Sequence, residues 1–257
     1  MIITPDFSYK NGTHFAQLSE LAYEKSPDEV KRKMAPKGYR NVRYFDKSGA
    51  QCYGLEAEDH VVLAFRGTEP TTMNDVKADI NIFHGQDKYG ITVGNVHKGF
   101  RNEVDTLWPD IKKWLRGTSN KQVYTCGHSL GGAMSGIAAS RIDNAICYNY
   151  GCPRIGTKDW AKEFDKSHKM YRFVNDRDVI SKIPPKWMNY KHCGELHHIT
   201  RKGKIKKNPT KWSLFKNGFI NMLRNPLRIV QGIPDHDMGD YRTLIRRWSE
   251  SYINNPS

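Results

Sequence analysis

The chain has 257 residues, of which 38% are apolar, and its 41 Lys and Arg against 27 Asp and Glu leave a net charge of +14. That length supports one α/β domain with a sizeable core. The sequence has no internal repeat, no low-complexity tract and no eighteen-residue apolar run able to cross a bilayer, so solenoid, disordered and membrane-spanning classes are excluded. The basic excess predicts an anionic partner, either a phosphate backbone or a lipid headgroup surface.

The opening Met1-Ile2-Ile3-Thr4-Pro5-Asp6 lacks the basic and apolar regions of a secretory signal, and a cytoplasmic location is the expectation. Phe15, Leu18, Leu21 and Ala22 recur at helical spacing within 11–24. Val42–Phe45, Cys52–Leu55 and Val61–Phe65 then read as successive strands, the first two joined by a hairpin at Lys47-Ser48-Gly49. Phe100, Val104, Leu107, Ile111, Trp114 and Leu115 mark a helix that Pro109 should kink or restart.

A strand over Val123–Cys126 leads into the Ser129 turn, and a small-residue helix leads out of it. Strands at 145–150 and 170–174 flank a helix over 159–166, and another helix spans 241–248. Alternating strands and helices predict an α/β fold whose mostly parallel sheet is covered on both faces, with active groups at the strands' carboxyl ends.

The five cysteines are odd in number and have no C-x-x-C spacing, so reduced, buried thiols are expected. His197-His198 stands outside any Cys/His cluster with ligand spacing. Neither a metal nor a cofactor is expected.

The chemistry centres on Gly127-His128-Ser129-Leu130-Gly131-Gly132. A G-x-S-x-G turn between strand and helix lifts a serine clear of the backbone, and the helix N-terminus behind it favours developing negative charge. Such a serine needs an acid and then a histidine further along the chain. Asp176 and Asp178 both follow the strand ending at Val174 and are nearly equal by position, with Asp178 favoured.

Of the later histidines, His236 lies in a turn-rich loop suited to a mobile base. His192, His197 and His198 fall in an alternating segment that reads as strand. The oxyanion donors are expected from the Leu130 N–H and from Arg66-Gly67-Thr68, where the Thr68 hydroxyl adds a further donor.

These residues together resemble the class 3 lipases, a family of α/β-hydrolases that includes fungal triacylglycerol lipases and plant phospholipase A1 enzymes. Phe65-Arg66-Gly67-Thr68 is similar to the family's oxyanion loop, Val96-His97-Lys98-Gly99-Phe100 to its V-H-x-G-F segment, and 127–132 to its G-H-S-L-G-G elbow. Tyr150-Gly151-Cys152-Pro153-Arg154-Ile155-Gly156, the Asp178 loop with Pro184-Pro185, His192-Cys193-Gly194-Glu195, and Asp235-His236 with Tyr241 continue the likeness in order. The resemblance selects Asp178 over Asp176. It implies a Ser129, Asp178, His236 triad with an oxyanion hole at Thr68 and Leu130, leaves His97 and His128 structural, and implies a serine hydrolase of lipid carboxylic esters. The segment Thr71–Ile80 departs from the family's lid pattern, being polar and carrying Val76 where a Trp is usual.

A basic amphipathic insertion at about 201–230 also lies outside the family pattern, within a single domain spanning 1–257. It carries Lys202, Lys204, Lys206, Lys207, Lys211, Lys216, Arg224 and Arg228, and no acid occurs between Glu195 and Asp235. Trp212, Phe215, Phe219, Met222 and Leu223 line one helical face there. Such a helix either packs on the domain or lies in an anionic membrane interface. Nucleic acid fits less well, because no recognised binding motif accompanies the charge. The competing function is a membrane- or nucleic-acid-binding module on a hydrolase scaffold with little turnover.

Overall fold

The computed structural model describes residues 3–67, 83–118, 120–176, 178–200, 202–210 and 236–254. In chain order its strands are β1 (Asn41–Lys47), β2 (Ala50–Glu56), β3 (His60–Phe65), β4 (His84–Gly85), β5 (Val96–His97), β6 (Gln122–His128), β7 (Ile146–Tyr150), β8 (Gly156–Thr157), β9 (Lys169–Asn175), β10 (Tyr190–Lys191), β11 (Glu195–Ile199) and β12 (Ile205–Lys207). The central sheet runs β1-β2-β3-β6-β7-β9-β11-β12. It is parallel from β3 to β11 and closes antiparallel at both ends.

The β1–β2 turn is a two-residue loop in which Ser48 and Gly49 both take positive φ, 52° and 88°. That backbone matches the right-handed twist of the flanking strands.

Each step from β3 to β6 to β7 to β9 crosses over through a helix: Lys98–Arg116, Leu130–Ala139 and Lys158–Ser167. Because the crossovers advance one strand at a time with one hand, they place all three helices on one face. There Phe100, Val104 and Ile111, then Ala133 and Ile137, then Trp160 and Phe164 pack against Leu63, Phe65 and Cys147. The opposite face is covered by the Tyr9–Leu21 and Met238–Asn254 helices, whose Phe15, Leu18, Tyr241 and Ile245 meet Val62, Ala64, Tyr124, Tyr148 and Tyr150. The period-two alternation along β3 and β7 divides the two cores.

Several features differ from expectation. Pro109 lies inside the continuous Lys98–Arg116 helix. Burial of Val104, Leu107, Trp108 and Ile111 on one side outweighs a penalty of about 3 kcal/mol for an interior proline, and Pro109 itself is on the exposed side. His192 precedes β11 instead of lying in a strand. A second sheet, β10-β8-β5-β4, is built from pairings of one or two residues, too short to leave a sequence pattern. The five cysteines, by contrast, agree with expectation, all being buried free thiols. Of the basic stretch 201–230, residues 202–210 form the β11–β12 hairpin and β12, while Lys211, Lys216, Arg224 and Arg228 lie outside the described residues.

Candidate active site

Ser129 stands between β6 and the Leu130–Ala139 helix at φ 57°, ψ −128°. A side-chain-bearing residue adopts that backbone only where its surroundings enforce it. One constraint is close packing, because a Cβ on Gly127 would collide with the Gly131 backbone. Another is the Ser129 N–H, which donates to the Tyr150 carbonyl at 3.0 Å. The strained turn therefore locks the serine across the carboxyl ends of β6 and β7.

The next residue, Gly151, leads toward the acid and base. It takes φ 57°, and a Cβ there would lie 2.6 Å from Asp178 Oδ2 and 2.8 Å from His236 Nδ1. The turn following the Ser129 anchor thus runs against the Asp178–His236 pair. All three side chains are buried.

Asp178 is held by three donors. Ile180 N–H reaches Oδ1 at 2.8 Å. His236 Nδ1–H and the Tyr241 hydroxyl reach Oδ2 at 2.9 Å and 2.6 Å. Tyr241 in turn accepts the Asn175 N–H at 2.8 Å, which ties the acid's loop to the C-terminal helix. With Nδ1 protonated toward Asp178, Nε2 of His236 is left as a lone-pair acceptor. This buried Nε2 has no hydrogen-bond partner among the described residues.

A second histidine positions the first. His128 Nε2 donates to the His236 carbonyl at 2.6 Å, so its Nδ1 accepts from the Tyr23 hydroxyl at 2.9 Å, and the two imidazoles lie 4.4 Å apart between centroids. Burial, and then the nearby His236, pushes the His128 pKa well below its usual value. It serves as a neutral clamp on the His236 backbone.

The other histidines are engaged elsewhere. His192 bonds to the Ser181 carbonyl, His197 stacks on Phe7 and pairs with Glu195, and His198 faces Asp176. The carboxylate that meets His236 Nδ1 is that of Asp178, while Asp176 lies beside His198. His97 caps the Lys98–Arg116 helix by accepting the Phe100 N–H.

The Leu130 N–H opens the elbow helix, at a position with no intrahelical acceptor. Beside Leu130 is a cleft of about 230 Å³ bordered by Gly67, Arg66, Glu103 and Met134. Thr68 lies outside the described residues. Tyr241 is part of the element that the sequence likeness includes, but its bond to the acid was not legible there, and the Tyr23–His128 clamp had no sequence signal.

Comparison with known proteins agrees with this geometry. The class 3 lipase profile matches residues 62–188, about half of the chain. The toxin TseL of Vibrio cholerae is 35% identical over 100 residues, covering 37% of this chain and 15% of that protein. The secreted mono- and diacylglycerol lipase MDL2 of Malassezia globosa is 30% identical over 127 residues, 46% of this chain and 40% of that one. The chain thus spans less than half the length of these relatives. Among solved structures, a variant of the Penicillium cyclopium lipase MDLA superposes with a TM-score of 0.69 at 22% identity, covering 79% of this chain and 87% of its own, which shows a shared α/β-hydrolase fold. With the profile reaching from β3 through the elbow to the acid's loop, the chain belongs to the class 3 lipase family.

Proposed function

We propose that the protein is a serine hydrolase that cleaves carboxylic esters of lipids, triacylglycerol or glycerophospholipid, through an acyl-serine intermediate. The observation that carries this reading is the strained Ser129 elbow bonded to Tyr150, next to the Gly151 turn that runs against a buried Asp178–His236 pair whose Nε2 has no hydrogen-bond partner among the described residues. His236 Nε2 takes the Ser129 hydroxyl proton as Oγ attacks the ester carbonyl. Asp178 holds the imidazole tautomer and stabilises the imidazolium, which returns the proton to the leaving alcohol. Water repeats the cycle on the acyl-serine. The Leu130 N–H, with Thr68 as the second donor, stabilises the oxyanion, and each such donor contributes about 3 kcal/mol to the transition state.

The names of the Malassezia and Penicillium relatives support a mono- or diacylglycerol-type substrate. The lysine-rich hairpin supports an anionic surface carrying it. Lys202, Lys204 and Lys206 are exposed at or beside the carboxyl end of β11, the sheet end that holds Ser129 and Asp178. Lys207 is paired with Glu195 at 2.8 Å, and lysines on β12 also guard an open sheet edge against pairing with other chains.

Fatty-acid release from mixed phospholipid and acylglycerol substrates, wild type beside Ser129→Ala, tests the catalytic reading. Release that disappears in the variant supports it, and release that persists refutes it. Substituting Lys202, Lys204 and Lys206 by Ala should weaken binding to anionic vesicles and spare hydrolysis of a soluble ester.

A further inference from the structure

The large apolar side chains most exposed among the described residues are not scattered. Phe83 (66% exposed), Tyr89 (54%), Val93 (51%) and Trp187 (83%) all fall in two segments, 83–98 and 182–192. These segments carry β4, β5 and β10 of the small sheet. They converge where the His84 and Tyr190 rings meet at 4.6 Å, each next to or near one of the two exposed aromatics.

Exposure of Trp187 does not come from a slack loop. The turn Lys186–Met188 is closed by hydrogen bonds from Met188 N–H to Pro185 O at 3.1 Å and from Asn189 N–H to Lys186 O at 3.0 Å. From behind, Arg154 donates its backbone N–H to Ile183 O at 2.7 Å and its guanidinium to the carbonyls of Lys182 and Pro184. Arg154 lies three residues beyond Gly151 at the site, and the Trp187 turn lies nine residues beyond Asp178. Both segments follow directly from the carboxyl ends of β7 and β9, the sheet end that holds Ser129. Phe83 is anchored through its carbonyl, which accepts the Lys98 N–H at 2.8 Å.

The charge around these aromatics is predominantly positive. The two segments contain Lys88, Lys98, Lys182, Lys186 and Lys191, and their only acid, Asp87, is buried against Arg141 at 2.9 Å. From the helix packed behind β8, Lys158 adds a cation and Asp159 one exposed carboxylate. Tryptophan favours the headgroup level of a bilayer, and lysines around it favour anionic lipid over an apolar protein surface.

We propose that Trp187 and Phe83, ringed by Lys98, Lys182, Lys186 and Lys191, form the surface by which this protein seats on anionic lipid, with the Ser129 end of the sheet brought to the interface. The choice of lipid as occupant rests on the ester-hydrolase reading above. Its residues belong to other segments than the Lys202–Lys206 hairpin and offer exposed apolar side chains, whereas Ile205, the apolar residue described within the hairpin, is buried.

The test reads binding without turnover, in a full-length Ser129→Ala background, by sedimentation with phosphatidylcholine vesicles with and without phosphatidylglycerol. Trp187→Ala should lower partitioning onto the anionic vesicles about tenfold, given the apolar area of a buried indole. Lys186→Ala and Lys191→Ala should each lower it up to about fivefold. Trp187→Phe should bind within about threefold of the parent, yet lose much of the tryptophan quenching caused by brominated acyl chains.

Unchanged partitioning of Trp187→Ala would overturn the proposal. So would equal binding to pure phosphatidylcholine, or quenching that survives in Trp187→Phe. With Ser129 intact, Trp187→Ala should hydrolyse a short soluble ester at the wild-type rate, which excludes misfolding as the cause. If the wild type failed to hydrolyse any ester while vesicle binding still depended on Trp187, the catalytic reading would fall and the docking surface would stand.

Discussion

Replacing Tyr241 by Phe removes one oxygen from the core of the site and tests the whole acid-positioning network. The hydroxyl donates to Asp178 Oδ2 at 2.6 Å and accepts the Asn175 N–H at 2.8 Å, with Tyr241, Asn175 and Asp178 all buried. Losing it leaves the Asn175 N–H without this acceptor, at a cost of about 1–3 kcal/mol, and removes a hydrogen bond to a charged group worth about 1.5–3 kcal/mol. Because the ring stays, no cavity opens, and a net loss of about 3 kcal/mol is expected. For a domain of this size that lowers Tm by about 6–12 °C.

Asp178 keeps its bonds from Ile180 and His236, so catalysis should weaken without vanishing. A tenfold fall in kcat corresponds to about 1.4 kcal/mol, and KM should hold because Tyr241 is directed at the acid. Differential scanning calorimetry and steady-state hydrolysis of a soluble ester measure both effects. A Tm within 2 °C of wild type (roughly the shift from 1 kcal/mol or less), with unchanged kcat, would refute the assigned role of this hydroxyl.

Further perturbations address other parts of the account. Ser129→Gly should abolish hydrolysis yet raise thermal stability, because it relieves backbone strain of about 1–3 kcal/mol at φ 57°; a lower Tm would show that the elbow is not strained. Gly151→Ala places a Cβ against Asp178 Oδ2 and His236 Nδ1, and the displaced pair should cost about a hundredfold in kcat, read in the same ester assay. His14, lowered to about 3 chiefly by burial and then by Lys37, binds fewer protons folded than unfolded. Its contribution is therefore present above pH 6.5 and is lost as pH falls toward 3, about 3 kcal/mol by pH 4. Urea unfolding of His14→Gln should accordingly show a shallower loss of stability between pH 6.5 and 4 than wild type, and an equal slope would contradict the shift.

Much of this was legible in the sequence because the signals were local. Val61–Phe65, the residues before Ser129 and 145–150 are apolar runs bounded by turn residues, and each is a strand of the parallel sheet. Ser129 declared itself through Gly127 and Gly131, whose lack of side chains the close strand–helix approach requires.

What stayed hidden depends on contacts between distant residues. The geometric choice between Asp176 and Asp178 turns on which carboxyl points at His236, and Tyr241 is decisive there, 63 residues beyond Asp178. The Tyr23–His128 bond joins residues 105 apart. The small sheet consists of pairings too short for any period to register, and Pro109 is tolerated only because tertiary packing holds its helix. Trp187 was unremarkable as sequence, because exposure is a property of the folded surface.

The central claim is that Ser129 becomes acylated, and mass spectrometry of the protein stopped with acid during turnover of an activated short-chain ester tests it most directly. The account predicts one acyl adduct on the peptide containing Ser129, absent in Ser129→Ala and formed far more slowly in His236→Ala. Ester turnover with no adduct on that peptide, or an adduct that persists when Ser129 is Ala, would contradict it.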